Sequence, residues 1–172
     1  MTIRMIGALF LTLSGACYAL ERNRGQSQRL KLLRNLSDAL YYIEWELKTN
    51  LTPLDELIQT LSGERSAGNA KVFFKNLGER LNRQGMVTFP QCWCAEVQAL
   101  KDSLTGEEQD ALLTLGDVLG RYGVEEMCCA MDRCIQVLER GYESTRCQAK
   151  ERSRLSWGLG LAAGGTLAIV LF

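Results

Sequence analysis

Two apolar runs lie near the two ends of the chain, and a helical pattern fills most of the sequence between them. Residues 155–172 carry no charged side chain and would form a helix of roughly 27 Å, close to the thickness of a bilayer's hydrocarbon core. Residues 5–20 follow Arg4 and approach the minimum spanning length of roughly 17 residues. We therefore expect transmembrane helices at residues 1–20 and 155–172, and a helical domain at residues 21–154.

Small side chains form a ridge along the C-terminal run. They recur at every fourth position: Ser156, Gly160, Gly164 and Ala168. A ridge of this kind allows another helix to approach closely, so we expect these residues to pack against a helix in the membrane. The alternative is that the run is rich in glycine and alanine only because membrane helices generally are.

Basic residues beside both runs indicate the side of the membrane on which the domain lies. Five of them follow the first run, with no acidic residue among them: Arg22, Arg24, Arg29, Lys31 and Arg34. Four more precede the second run, against Glu151: Arg146, Lys150, Arg152 and Arg154. The positive-inside rule then predicts a cytoplasmic domain. A cleaved signal peptide and a lipoprotein acylated at Cys17 are the alternatives.

Between the two runs, apolar residues recur at the spacing of a helix. The first seam consists of Leu33, Leu36, Leu40, Ile43 and Leu47. Further helices are expected at about residues 53–62, 69–83, 90–104 and 106–119, and a last one from Val124 directly into the C-terminal run. No strand pattern appears, so the predicted fold class is all-α.

Two of these helices begin with recognisable signals. Thr52 precedes Pro53, a residue favoured at the first helical position, and we expect Thr52 to cap the second helix. Thr105 and Glu108 have the spacing of a capping box for the fifth helix. The same helix carries an acidic group that is the best candidate for docking a basic partner: Glu107, Glu108 and Asp110. Ordinary solvated surface is the alternative.

Composition argues against catalysis. Histidine is absent, which removes the commonest general base and the commonest metal ligand. The cysteines show no repeated CxxC spacing. They are Cys17, Cys92, Cys94, Cys128, Cys129, Cys134 and Cys147. We expect Cys92, Cys94, Cys128 and Cys129 to be small core residues, with a redox or metal sensor as the weaker alternative. The 20 basic and 20 acidic residues balance and give no indication of nucleic-acid binding. We expect no enzyme, cofactor, bound metal or small-molecule substrate.

Three motifs in this order resemble the stage III sporulation protein AB family. The first joins Glu44 and Glu46, within the sequence IEWEL, to a turn formed by Thr52, Pro53 and Leu54. The second is a leucine–glycine helix end that contains Gly116, Leu119 and Gly120. The third is the basic stretch followed by the glycine-rich run at residues 155–172. The resemblance covers nearly the whole chain.

This resemblance implies a particular fold and function. The domain would be a cytosolic helical bundle similar to the F-component domain of type II secretion platforms. The protein would be a non-enzymatic assembly component of the channel between mother cell and forespore, in the mother-cell membrane. Its partners would be other stage III channel proteins, including an ATPase and multi-span membrane subunits, together with membrane lipid. The alternative from the residues is an exported lipoprotein or secreted binding protein acylated at Cys17.

Overall fold

The computed structural model describes residues 25–63, 66, 68–83, 88–119 and 121–150 in full, and gives only backbone secondary structure for 2–24, 64, 65 and 151–171. The α-helices in chain order are α1 (Thr2–Thr49), α2 (Leu54–Thr60), α3 (Gly68–Arg83), α4 (Phe89–Ala99), α5 (Gly106–Val118) and α6 (Val124–Leu171). A π-helical turn, Leu61–Arg65, follows α2, and a 3-10 turn, Lys101–Ser103, follows α4. No strand occurs in the part of the chain that the structure describes, and the all-α prediction is confirmed.

The chain divides into two compact units. Residues 29–142 form one, and residues 1–28 with 143–172 form the other. Among the fully described residues, no helix is both long and apolar enough to cross a membrane. The two predicted spans lie outside that part of the chain, as do Cys17 and the small residues Ser156, Gly160, Gly164 and Ala168.

The apolar seam of α1 lies in the core of the larger unit, as its helical spacing predicts. Its members are all at most 4% exposed: Leu33, Leu36, Leu40, Ile43 and Leu47. On α6 the residues at helical spacing are also buried: Met127, Met131, Cys134 and Leu138. The hydroxyl of Tyr41 on α1 donates to Oε1 of Glu139 on α6, at 3.1 Å. The prediction that the last helix continues without a break beyond Val124 is confirmed, since α6 is a single helix.

Aromatic rings join α3 to α4. The ring of Phe73 meets the rings of Phe74 and Trp93 edge-on, with centroids 5.1 and 5.0 Å apart, the geometry that aromatic quadrupoles favour. The ring of Phe89, at the start of α4, has its centroid 5.8 Å from that of Trp93. A capping box formed by Thr88 and Gln91, which is absent from the predictions above, begins α4. Trp93 is buried among these side chains, at 1% exposure.

Two helix ends differ from the prediction. The second helix ends at Thr60 rather than near residue 62, where a π-helical turn containing the non-helical Gly63 (φ −83°, ψ −125°) takes over. The fourth helix ends at Ala99, and the 3-10 turn then carries the chain to Leu104. Leu104 is still buried, but the 3-10 turn places it in the core, and it does not lie on the face of a longer helix.

Candidate interaction surface

The acidic pair at the end of α1 has a structural role. Glu44 is 7% exposed, and its carboxylate accepts a hydrogen bond from Lys48 one turn later, which raises the pKa of the lysine. Glu46 is half-buried and accepts from Nδ2 of Asn50 at 2.7 Å and from the hydroxyl of Thr52 at 3.1 Å. Neighbours two apart on a helix point to different sides, and the two carboxylates bind different partners.

The expectation that Thr52 caps α2 is wrong. Its hydroxyl donates to Glu46, and the start of α2 has no side-chain cap. Pro53 stands at the cap position instead of the first helical position, and its carbonyl accepts from the backbone N–H of Glu56 at 3.1 Å and of Leu57 at 3.2 Å. Leu54 is partly buried against the core. The motif thus holds the end of α1 to the turn before α2.

Gly116 is required by close packing. A Cβ at this position of α5 would lie 2.2 Å from Cδ1 of Trp93, well inside van der Waals contact. The indole N–H of Trp93 donates to the carbonyl oxygen of Leu112 at 2.7 Å, so the ring cannot turn away without losing a buried hydrogen bond. Leu119 is fully buried just after the end of α5, and Gly120 lies outside the described residues.

Glu108 is buried, so the expectation that it belongs to an exposed docking group is wrong. It is 2% exposed. Its Oε1 accepts from Nη2 of Arg29 on α1 at 2.8 Å, and its Oε2 accepts from the backbone N–H of Thr105 at 2.7 Å. Thr105 in turn accepts from the backbone N–H of Glu108 at 3.4 Å, which confirms the predicted capping box. The carboxylate therefore ties the start of α5 to α1.

Gly141 brings α6 to the same carboxylate. A Cβ on Gly141 would lie 2.0 Å from Oε1 of Glu108. That oxygen also holds Arg29, so it cannot retreat without breaking the ion pair. We call this group of Arg29, Thr105, Glu108 and Gly141 the Glu108 junction. At this point α1, α5 and α6 meet around one buried charge, and a helical glycine makes the approach possible.

Glu107 and Asp110 remain as the exposed acidic surface of α5. Glu107 lies 3.7 Å from Nη2 of Arg140 on α6, with both side chains about 70% exposed (72% and 69%). An exposed ion pair of this kind stabilises a fold by only about 0–1 kcal/mol, so it leaves the carboxylate available to a partner. Asp117 adds a further exposed carboxylate on the same helix.

The cysteines divide into buried and exposed thiols. Cys92 and Cys128 are buried, as expected, and so is Cys134. Cys129 and Cys147 are exposed, so the expectation of a core position is wrong for Cys129. Burial raises the pKa of Cys134 to about 12 and also raises the pKa of Cys92 and Cys128. These three thiols are therefore protonated at neutral pH, and a protonated thiol is a poor nucleophile and metal ligand. In the described part of the chain, no three ligand-type side chains are grouped to hold a metal ion.

A groove of about 320 Å³ between α3 and α4 contains a second buried carboxylate. Glu96 is 3% exposed and accepts from Nε of Arg80, and Nδ2 of Asn76 donates to its other oxygen at 3.2 Å. The charges that line this groove are largely satisfied by one another. The groove therefore offers few unpaired charges with which to bind a ligand.

Comparison with known proteins places this all-helical domain in a family. The model of the stage III sporulation protein AB family matches residues 4–172, and the chain belongs to that family, as its motifs predicted. A solved structure titled "Stage III sporulation protein AB (SpoIIIAB)" matches with a TM-score of 0.62 at 21% identity, over 73% of this chain and 98% of that one, which shows the same fold. The comparison with curated proteins gives no match. Family membership implies a role in sporulation.

Alanine usually stabilises a helix relative to glycine, but at Gly116 and Gly141 we expect it to destabilise the domain. Gly116→Ala and Gly141→Ala should each lower the free energy of unfolding by about 1–3 kcal/mol, since the new methyl group meets Trp93 or Glu108. Gly78→Ala in α3 is the matched control, because its Cβ would lie 3.6 Å from Ile58, an ordinary contact. It should stabilise by about 0.5–1 kcal/mol. Urea unfolding of the full-length chain checks all three, and stabilisation in all three would contradict the close approaches.

Proposed function

We propose that this protein is a non-enzymatic assembly component of the channel between mother cell and forespore. Two transmembrane helices, at residues 1–20 and 155–172, anchor a helical domain that faces the cytoplasm of the mother cell. Membership of the stage III sporulation protein AB family supports the sporulation role. The two uncharged runs and the basic residues beside them support the anchoring and its orientation.

The observation that carries the proposal is the exposed acidic face of α5. Glu107 and Asp110 are exposed in the first two turns of a helix whose start is fixed by the Glu108 junction. A rigidly held pair of carboxylates can select a basic patch on a partner without ordering a flexible loop, so little conformational entropy is lost on binding. The partners that the family resemblance suggests are the ATPase and the multi-span subunits of the channel.

Three further considerations fit an assembly role. The domain is proposed to share the helical architecture of the type II secretion F-component, whose place is in a membrane platform. The small residues of the second span, Ser156, Gly160, Gly164 and Ala168, would let that span pack against a neighbouring helix in the membrane. The buried carboxylates of Glu96 and Glu108 are paired with arginines, and the buried thiol of Cys134 is protonated, which supports a role without catalysis.

Reversing the charge of the α5 face should weaken partner binding. The double variant Glu107→Lys/Asp110→Lys of the full-length chain should reduce co-purification of the channel ATPase by about threefold or more, the size of effect expected for exposed charges at an interface. Glu125→Lys/Glu126→Lys, an equal change of charge in the first turn of α6, is the matched control. Glu108 is left unchanged, because it is buried and paired with Arg29, so its replacement would destabilise the domain. Equal co-purification by the acidic-face variant and the control would exclude this face as the docking surface.

Thiol labelling tests the proposed orientation. Cys129 and Cys147 are exposed, so they should react with a membrane-impermeant maleimide, whereas Cys92 and Cys128 should react only after denaturation. In intact cells that express the full-length chain, mass spectrometry should find Cys129 and Cys147 unlabelled before lysis and labelled after it. Labelling of Cys129 in intact cells would instead place the domain outside the membrane.

A further inference from the structure

A groove between α1 and α6 has a binding chemistry that the proposed function does not use. It measures about 280 Å³ and is lined by residues of both helices: Arg34, Ser37, Asp38, Tyr41, Glu139 and Tyr142. Small-molecule pockets usually measure roughly 300–1,000 Å³, so this groove is at the lower limit. Its size suits one side chain of another protein better than a whole metabolite.

Ser37 provides an unsatisfied hydroxyl in this groove. The residue is 3% exposed, and its Oγ has no hydrogen-bond partner. A buried hydroxyl without a partner is costly, since it has lost its water and gained nothing in return. Among the residues whose side chains the structure describes, two other buried atoms are in this state, Nε of Arg29 and Oγ of Ser66, and neither belongs to a residue that lines this groove. Ser37 therefore indicates a polar ligand at this position.

The groove also carries negative charge that its own cation does not balance. Arg34 is paired with Asp38 on the same helix, with 3.3 Å between Nε of the arginine and Oδ2 of the aspartate. Glu139 accepts a hydrogen bond from the hydroxyl of Tyr41 at 3.1 Å, and no ion pair to a basic side chain is found for it among the described residues. Burial, the hydrogen bond to Glu139 and the nearby carboxylates of Glu139, Glu44 and Asp132 together raise the pKa of Tyr41. A cation is the ligand charge that these surroundings favour.

We propose that this groove binds an arginine side chain of a partner protein. The guanidinium would donate to the carboxylate of Glu139 and to the hydroxyl of Ser37, and would lie against the rings of Tyr41 and Tyr142. Arginine fits better than lysine because its planar group presents several donors at fixed angles and stacks on aromatic rings. The inference stands apart from the acidic face of α5, since none of its residues belongs to that face.

The first test uses a small probe on the full-length chain in detergent. The tripeptide acetyl-Gly-Arg-Gly-amide is titrated while NMR follows ring-labelled tyrosines, of which the chain has five. Tyr41→Phe and Tyr142→Phe assign the two groove resonances. We expect saturable shifts at Tyr41 and Tyr142, and none when citrulline, which has nearly the same shape but no charge, replaces arginine. Equal shifts with both peptides, or none with either, would overturn the proposal.

Substitutions in the groove provide the second test. Glu139→Gln removes the charge while keeping the shape, and should weaken arginine-peptide binding about threefold or more, as expected for a partly exposed charge pair. Ser37→Ala should also weaken it. Glu125→Gln, an exposed acid at the start of the same helix, is the control and should leave binding unchanged. Binding that survives Glu139→Gln and Ser37→Ala together would show that arginine binds elsewhere, and the groove would be excluded.

Discussion

The arrangement of the helical domain depends on one buried carboxylate, that of Glu108. An ionised carboxyl group taken out of water is destabilising by several kcal/mol unless charges and hydrogen-bond donors replace the lost solvent. Here Arg29 supplies the charge from α1, and the backbone of Thr105 supplies a donor from the start of α5. Gly141 leaves room for the carboxylate against α6. Moving any of the three helices would expose this charge or leave it unpaired, so their mutual positions are fixed together.

The same kind of pairing recurs elsewhere in the domain. Glu44, Glu96 and Glu108 are all less than 10% exposed, at 7%, 3% and 2%. Each is paired with a basic side chain that keeps solvent contact: Lys48, Arg80 and Arg29, at 54%, 49% and 29% exposure. Long basic side chains can bury their stems while their charged ends reach water, so only one member of each pair is fully desolvated. The Arg29–Glu108 and Arg80–Glu96 pairs each join two helices and so favour one packing of them, whereas the Glu44–Lys48 pair lies within α1.

Local patterns in the sequence were sufficient to predict the helices, but they did not predict the burial of Glu108. The seam from Leu33 to Leu47 and the capping box of α5 involve residues a few positions apart, so periodicity and capping rules predict them. The burial of Glu108 depends on Arg29, 79 residues away, and on a glycine in α6, and no local rule contains that information. A charged residue in the first turn of a helix is ordinarily assigned to the surface. Thr52 was misassigned for a related reason, because the carboxylate of Glu46 competes with the backbone for its hydroxyl.

The Arg29–Glu108 pair holds α5 against the rest of the domain and so positions its acidic face. A double-mutant cycle with Arg29→Met and Glu108→Gln in the full-length chain, followed by urea unfolding, measures that pair directly. Each single variant should be destabilised by about 3 kcal/mol, because it leaves an unpaired or unsatisfied buried group. The loss in the double variant should be smaller than the sum of the two single losses by about 2 kcal/mol. Losses that add to within about 0.5 kcal/mol would show that the two side chains act independently, and that this pair does not hold α5 in place.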